Sequence, residues 1–176
     1  MKIIKMNRNP LADTPTMHQT GHNLPLGERT ELNSLINLSL ASAIDLQLQL
    51  KQAHWNVKGP YSTGLHELFD NIGDAVENYV DMIAERIVQR GGTAEGTVRM
   101  AAASSRLDEY PLMHAESMAH VNMVATALST FDQQACVTIG EADELDDAGT
   151  ADLFTEISRG INKWLWFVEA HLQTAN

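Results

Sequence analysis

"LHELFDNIGDAVENYVDMIAER", residues 65–86, places one histidine and six acidic side chains in a stretch whose apolar spacing reads as a helix. Two pairs four residues apart stand out, His66 with Asp70 and Asp81 with Glu85. At about 100° per residue, with His66 at 0°, Asp70, Asp81 and Glu85 fall at about 40°, 60° and 100°. On the same count Leu65, Phe69, Ile72, Val76, Tyr79, Ile83 and Ile87 cluster at roughly 220–300°. The apolar stripe must face a core, so the ligand-type residues face away from it.

Distance along the axis adds a second constraint. Asp81 follows Asp70 by eleven residues, about 16 Å of helix. Metal–ligand bonds span only about 2.0–2.6 Å. One helix therefore cannot bring both pairs to one metal. Either each pair is half of a weak site, or an antiparallel second copy of the helix completes it. A crossing near residues 75 and 76 would set His66 and Asp70 of one chain against Asp81 and Glu85 of the other, and two-fold symmetry would make two equivalent sites. Gly73 and Ala75 lie near that midpoint.

The surrounding sequence supplies the rest of the architecture. Helical patterns run over residues 30–57, ended by Gly59-Pro60, and 62–90, ended by Gly91-Gly92. Residues 93–112 form a long connection with a short helix in "TVRMAAASS". Two further helices are expected over residues 112–139, closed by Gly140, and 151–173. No segment alternates like a strand. The class is all-α, a four-helix bundle with a long connection between its second and third helices. Residues 1–28, with three prolines and no periodicity, read as a flexible N-terminal tail, and residues 29–176 as the bundle domain.

Composition narrows the chemistry. The 176 residues carry a formal net charge of -11, which opposes broad attraction to nucleic acid and suits a protein that gathers cations. No apolar run approaches the roughly 20 residues of a membrane span. The N-terminus has no apolar export segment, and a single cysteine, Cys136, excludes an internal disulfide framework, so a cytoplasmic location is expected. Cys136 sits among apolar residues and is expected to be packed.

On the residues alone the acidic stripe has two readings, the solvated side of an ordinary helix or part of a metal site. "KQAHWNVKGP" puts His54 near the end of the preceding antiparallel helix, within reach of His66. Two imidazoles and three carboxylates suit a borderline divalent metal such as Fe²⁺ with open positions. An in-bundle di-iron site needs Glu-x-x-His on two helices. That motif is absent from the chain, and "ESMAH" has the wrong spacing.

"KQAHWNVKG", "LHELFD" and "DMIAERIVQRGG", with "INKWLWFVEAHL" near the end, together resemble the Dps family, the DNA-binding proteins from starved cells, also called miniferritins. The resemblance covers about residues 30–173 and rests on the spaced pattern H-x11-H-x3-D-x10-D-x3-E. It implies a ferritin-like bundle assembled as a hollow shell of twelve subunits. It also implies a ferroxidase centre shared between chains, with His54, His66 and Asp70 from one and Asp81 and Glu85 from its two-fold mate. Such a shell oxidises Fe²⁺ with hydrogen peroxide in preference to dioxygen and stores ferric mineral, protecting against oxidative stress. Zn²⁺ is expected to compete at the centre.

Several other residues carry a functional reading beside a plain one. Trp55 follows His54 and would either intercept radicals or pack at a subunit contact. Trp164 and Trp166 read as core or interface residues. "EADELDDAGTAD", residues 141–152, is either a solvated turn or, by resemblance, an iron-entry pore in which Asp143, Asp147 and Asp152 are candidates. His18 and His22 are four apart and could hold an accessory metal. Lys2, Lys5 and Arg8 give a charge of +3 before Asp13, a thin patch against an acidic body. DNA binding is therefore expected to be weak or absent at neutral pH. The alternative is a nucleoid-compacting, DNA-binding shell whose iron chemistry is secondary.

Overall fold

In the computed structural model, which describes residues 17–59, 61–112 and 116–173, five helices follow in order: α1 (Leu26–Asn56), α2 (Ser62–Gln89), α3 (Val98–Ser104), α4 (Ser117–Glu144) and α5 (Ala148–Glu169). α1 packs on α2 and α4 on α5, and contacts between α1 and α4 join the two hairpins. The short α3 lies against α1 within the long connection. Apart from one isolated bridge, Lys58 with Glu116, no β-structure occurs among the described residues. The four-helix bundle with a long middle connection is the architecture the periodicity predicts.

The core forms where each helix has its apolar stripe. Leu32, Ile36, Leu40, Ala43, Leu46, Leu50 and Ala53 of α1 are all buried, at spacings of three and four. They share one cluster with Leu65, Phe69, Ile72, Val76, Ile83 and Ile87 of α2, with Leu128 and Phe131 of α4, and with Phe154, Ile157 and Ile161 of α5. Each of the larger side chains, Leu, Ile, Val or Phe, contributes about 1.5–3 kcal/mol by leaving water. The buried set on α2 confirms the orientation of its two stripes, because His66, Asp70, Asp81 and Glu85 all lie outside it.

Helix ends follow local chemistry. α2 stops in a Schellman arrangement, with Gly91 N–H donating to Val88 O and Gly92 N–H to Ile87 O. Gly91 takes φ +83°, a conformation only glycine adopts at little cost. α4 does not close at Gly140 as predicted but continues to Glu144. Gly140 sits on an open face, where glycine costs only about 1 kcal/mol, while Ala142 beyond it is buried in the core. The real stop is Asp146 at φ 55°, after which the Asp147 side chain accepts from Thr150 N–H and caps α5. α5 accordingly starts at Ala148, three residues before the predicted 151, and "EADELDDAGT" is a helix end and a cap rather than an open turn.

Two further features stand beside those expectations. Residues 17–25 are tied to the bundle: His18 N–H donates to Gly91 O at 2.6 Å and Arg29 Nε to Leu24 O at 3.1 Å. Cys136 is exposed, because Ala135 and Thr138 take the inward positions of that turn and leave Cys136 and Val137 outside. Lys2, Lys5, Arg8 and Asp13 lie outside the described residues, as does His114.

Candidate metal centre

The antiparallel α1–α2 hairpin brings His54, near the end of α1, against His66, one turn into α2. Their rings meet edge to face at 4.6 Å between centroids, with 82° between planes. His54 Nδ1 lies 3.1 Å from the His66 carbonyl oxygen, which can only accept, so this nitrogen carries the proton. That leaves Nε2 of His54 as the ring nitrogen a metal could take. A backbone carbonyl holding one ring nitrogen while the other stays free is the way a metal-binding imidazole is oriented. His66 Nδ1 approaches His54 Nδ1 to 3.4 Å.

Asp70, one turn beyond His66, completes the group. Its Oδ1 accepts from Lys51 Nζ at 2.7 Å and lies 3.5 Å from His54 Nδ1. The hydrogen bond from Lys51 holds the carboxyl below the usual carboxylate range, aided by the His54 and Lys51 charges. Gly73, near the middle of α2, lies under the Lys51 stem: a Cβ there would meet Lys51 Cε at 3.9 Å.

Asp81 and Glu85 lie further along the same outward face of α2, exposed, and neither forms a salt bridge among the described residues. Within one chain no three His, Cys, Asp or Glu side chains of the described residues are grouped as metal ligands. The donor set fits a borderline divalent ion in chemistry, with imidazole nitrogens beside carboxylate oxygens. One chain holds it as two separated halves. Trp55, next to His54, is 67% exposed. An aromatic ring left so open is surface that another molecule can cover.

The remaining candidates diverge. Asp143 and Asp152 are exposed, whereas Asp147 is buried and committed. Its Oδ1 accepts from Arg86 Nη2 at 2.6 Å, and its Oδ2 pairs with Arg90 Nη1 and accepts from Thr150 Oγ1 at 2.7 Å. Asp147 is thus held by two arginines and a hydroxyl, unlike the other two pore candidates. His22 accepts through Nδ1 from Leu24 N–H at 3.3 Å, and its pKa is lowered by burial and by Arg90, Arg86 and Arg29. Those three guanidinium groups also oppose a cation at His18 and His22. Trp164 is packed against the core, while Trp166 is 62% exposed.

Three contacts were not anticipated from the sequence. Lys51 on Asp70 sits inside a motif already read for its histidine. Arg90, fully buried, bonds Asn33 Oδ1 at 3.1 Å besides Asp147 and Thr150. Burial, then the charges of Arg86 and Arg29, lower its pKa to about 10. Tyr110 Oη lies 2.5 Å from His120 Nδ1. An arginine inside an apolar helix end is the only signal that pointed to any of these, since buried charge demands a partner.

Residues 31–176 match the ferritin-like domain family. A DNA protection during starvation protein of Agrobacterium fabrum is 40% identical over 156 residues, covering 89% of this chain and 96% of that protein. Another, from Mycolicibacterium smegmatis, is 30% identical over 146 residues, 83% of this chain and 79% of that one. Among solved structures, the tetragonal form of Mycobacterium smegmatis Dps superposes with a TM-score of 0.85 at 29% identity, covering 91% of this chain and 96% of that one. With the bundle, the hairpin histidines and these relatives in agreement, the chain belongs to the ferritin-like family, within its Dps branch.

Proposed function

We propose that this protein oxidises Fe²⁺ at centres shared between two chains and stores the ferric product inside a hollow shell of twelve copies. The observation that carries this reading is the outward-facing pair His54 and His66, with Asp70 beside them, on the same side of the α1–α2 hairpin as Asp81 and Glu85. Each half has too few ligands for a tight site. A two-fold mate crossing α2 near its midpoint supplies the missing carboxylates.

The residues divide the work. His54 and His66 offer imidazole nitrogen donors suited to a borderline ion such as Fe²⁺. Asp70, Asp81 and Glu85 supply negative charge that favours the ferric over the ferrous ion and so lowers the cost of oxidation. Two Fe²⁺ ions give two electrons to one hydrogen peroxide, which with two protons becomes two waters. Peroxide is the preferred oxidant and dioxygen the slower one. Consuming ferrous iron and peroxide together suppresses hydroxyl-radical chemistry and protects the cytoplasm. Trp55 beside the centre intercepts stray radicals, and Asp143 and Asp152 attract iron at the shell surface.

The test combines two measurements on the purified full chain. Native mass spectrometry should give twelve subunits, and anaerobic Fe²⁺ followed by peroxide should give ferric absorbance that remains with the shell on gel filtration. A dodecamer that leaves iron oxidation at the rate of protein-free buffer would overturn the proposal.

A further inference from the structure

Tyr110 and His120 form a pair that the iron site does not use. Tyr110 lies on the connection after α3, partly buried and packed against the core. His120 lies on the first turn of α4 and is 1% exposed. Their rings are nearly parallel, 18° apart in plane and 6.0 Å between centroids. At 2.5 Å from Tyr110 Oη to His120 Nδ1 the hydrogen bond is short. Burial raises the phenol pKa, so at physiological pH the phenol is the donor and Nδ1 the acceptor.

Position sets the pair toward the same end of the bundle as His54. Tyr110 and Gln49 line the same clefts, and Gln49 precedes His54 on α1 by five residues, about 7.5 Å of helix axis. Ser117 Oγ donates to Lys58 O, which fixes the start of α4 against the end of α1. The pair therefore sits at the His54 end of the bundle. A phenol that merely needed a partner would be served by any acceptor. An imidazole is also a base, and a base in hydrogen-bond contact is what removal of an electron from a phenol requires.

We propose that Tyr110 and His120 act as a redox pair that gives one electron to a one-electron oxidant of the hydroxyl-radical class, formed where Fe²⁺ meets peroxide. The Tyr110 O–H bond breaks and its proton forms an N–H bond at His120 Nδ1, leaving a neutral tyrosyl radical. The oxidant takes the electron and a solvent proton and becomes water. A second Fe²⁺ then returns an electron to Tyr110, becoming Fe³⁺, and the proton returns from His120. The oxidant's origin rests on the iron-oxidation reading; the chemistry of the pair does not.

The experiment keeps the two separable. In the assembled full-chain protein, a photo-generated ruthenium tris-bipyridine oxidant replaces iron, and tyrosyl radical is read by EPR. The wild type should give the signal, Tyr110→Phe should lose most of it, and Tyr61→Phe and Tyr79→Phe should keep it. A signal that survives Tyr110→Phe, or no tyrosyl signal at all, overturns the pair. His120→Gln retains an acceptor without the base and should lower yield and lifetime; unchanged values overturn the proton transfer. Should His120→Gln not fold, a strongly coupled exchangeable proton in the wild-type radical, lost in D₂O, supports the transfer and its absence overturns it. Fe²⁺ with peroxide should then raise the same signal. If photo-oxidation raises it and iron with peroxide does not, the link to iron is wrong, and the ferric absorbance recorded in that run shows whether iron oxidation failed as well.

Discussion

Lys51 Nζ lies 2.7 Å from Asp70 Oδ1, so the carboxylate expected to receive a metal already holds a cation. The bond raises the Lys51 pKa and lowers that of Asp70. Its contribution is lost as pH falls through the depressed carboxyl pKa and again as pH rises through the raised ammonium pKa. Across the neutral range both groups are charged, and an incoming Fe²⁺ must displace the ammonium. The pair is partly exposed, 34% and 43% for the two side chains, so solvent screens it. Lys51→Met should then tighten divalent-metal binding modestly near neutral pH. Titration calorimetry with Zn²⁺ measures it, and a weaker site in the variant would show that Lys51 positions Asp70 rather than guarding it.

The shared centre predicts complementation. His66→Ala and Asp81→Ala shells should each lose rapid Fe²⁺ oxidation. Shells reassembled from both chains should regain part of it, because some two-fold pairs combine the intact half of each parent. Mixed shells verified by mass that remain as slow as the parents would place all five ligands elsewhere than in one shared centre.

Competition tests the donor set. Nitrogen and oxygen ligands bind Zn²⁺ more tightly than Fe²⁺ in the usual order of divalent metals. Substoichiometric Zn²⁺ should slow initial iron oxidation, and Asp81→Ala should weaken Zn²⁺ binding. An initial rate untouched by one equivalent of Zn²⁺ per site would contradict the assignment.

The bundle was legible because apolar side chains recur every three or four residues on α1, α2 and α5, and that period is local information. The orientation of His66, Asp70, Asp81 and Glu85 followed from the same count. What failed was set by tertiary competition. Gly140 reads as a stop, yet burial of Ala142 outweighs the cost of one exposed glycine. Asp147 reads as solvated acid, yet it answers Arg86 and Arg90 from a helix more than fifty residues earlier. Tyr110 and His120 each lack a pattern, and only the turn of chain into α4 makes them neighbours.

The Asp147 network carries a stability prediction. Arg90 is fully buried and the Asp147 side chain is 4% exposed. Removing one partner of such a pair leaves an uncompensated charge and costs about 3–5 kcal/mol. Asp147→Asn should lower the urea midpoint by that equivalent, whereas Arg90→Met, which removes the stranded charge as well, should restore part of it in the double variant. Loss of less than about 0.5 kcal/mol, the size of an ordinary surface change, would show that the arginines find another partner in the assembly.

The last prediction concerns DNA, where this chain is expected to depart from the name its relatives carry. In the proposed twelve-subunit shell, twelve N-terminal segments of charge +3 could act together, since linked weak contacts gain from effective concentration. Against them, every subunit carries -11, and that acidic surface repels phosphate as a tail approaches it. Screening acts over roughly 8 Å at physiological salt, so charges closer than that to the acidic surface feel its field. Lys2, Lys5 and Arg8 allow about three phosphate contacts per tail, few beside the roughly 6–10 whose affinity already falls by orders of magnitude with salt. No stable DNA complex should form near neutral pH at ~0.15 M salt, with weak association only at low salt or acidic pH, where carboxylates lose charge and histidines gain it. A gel-shift titration under the physiological condition measures this. Submicromolar binding that disappears on deletion of residues 1–9 would show that the tail outweighs the acidic body.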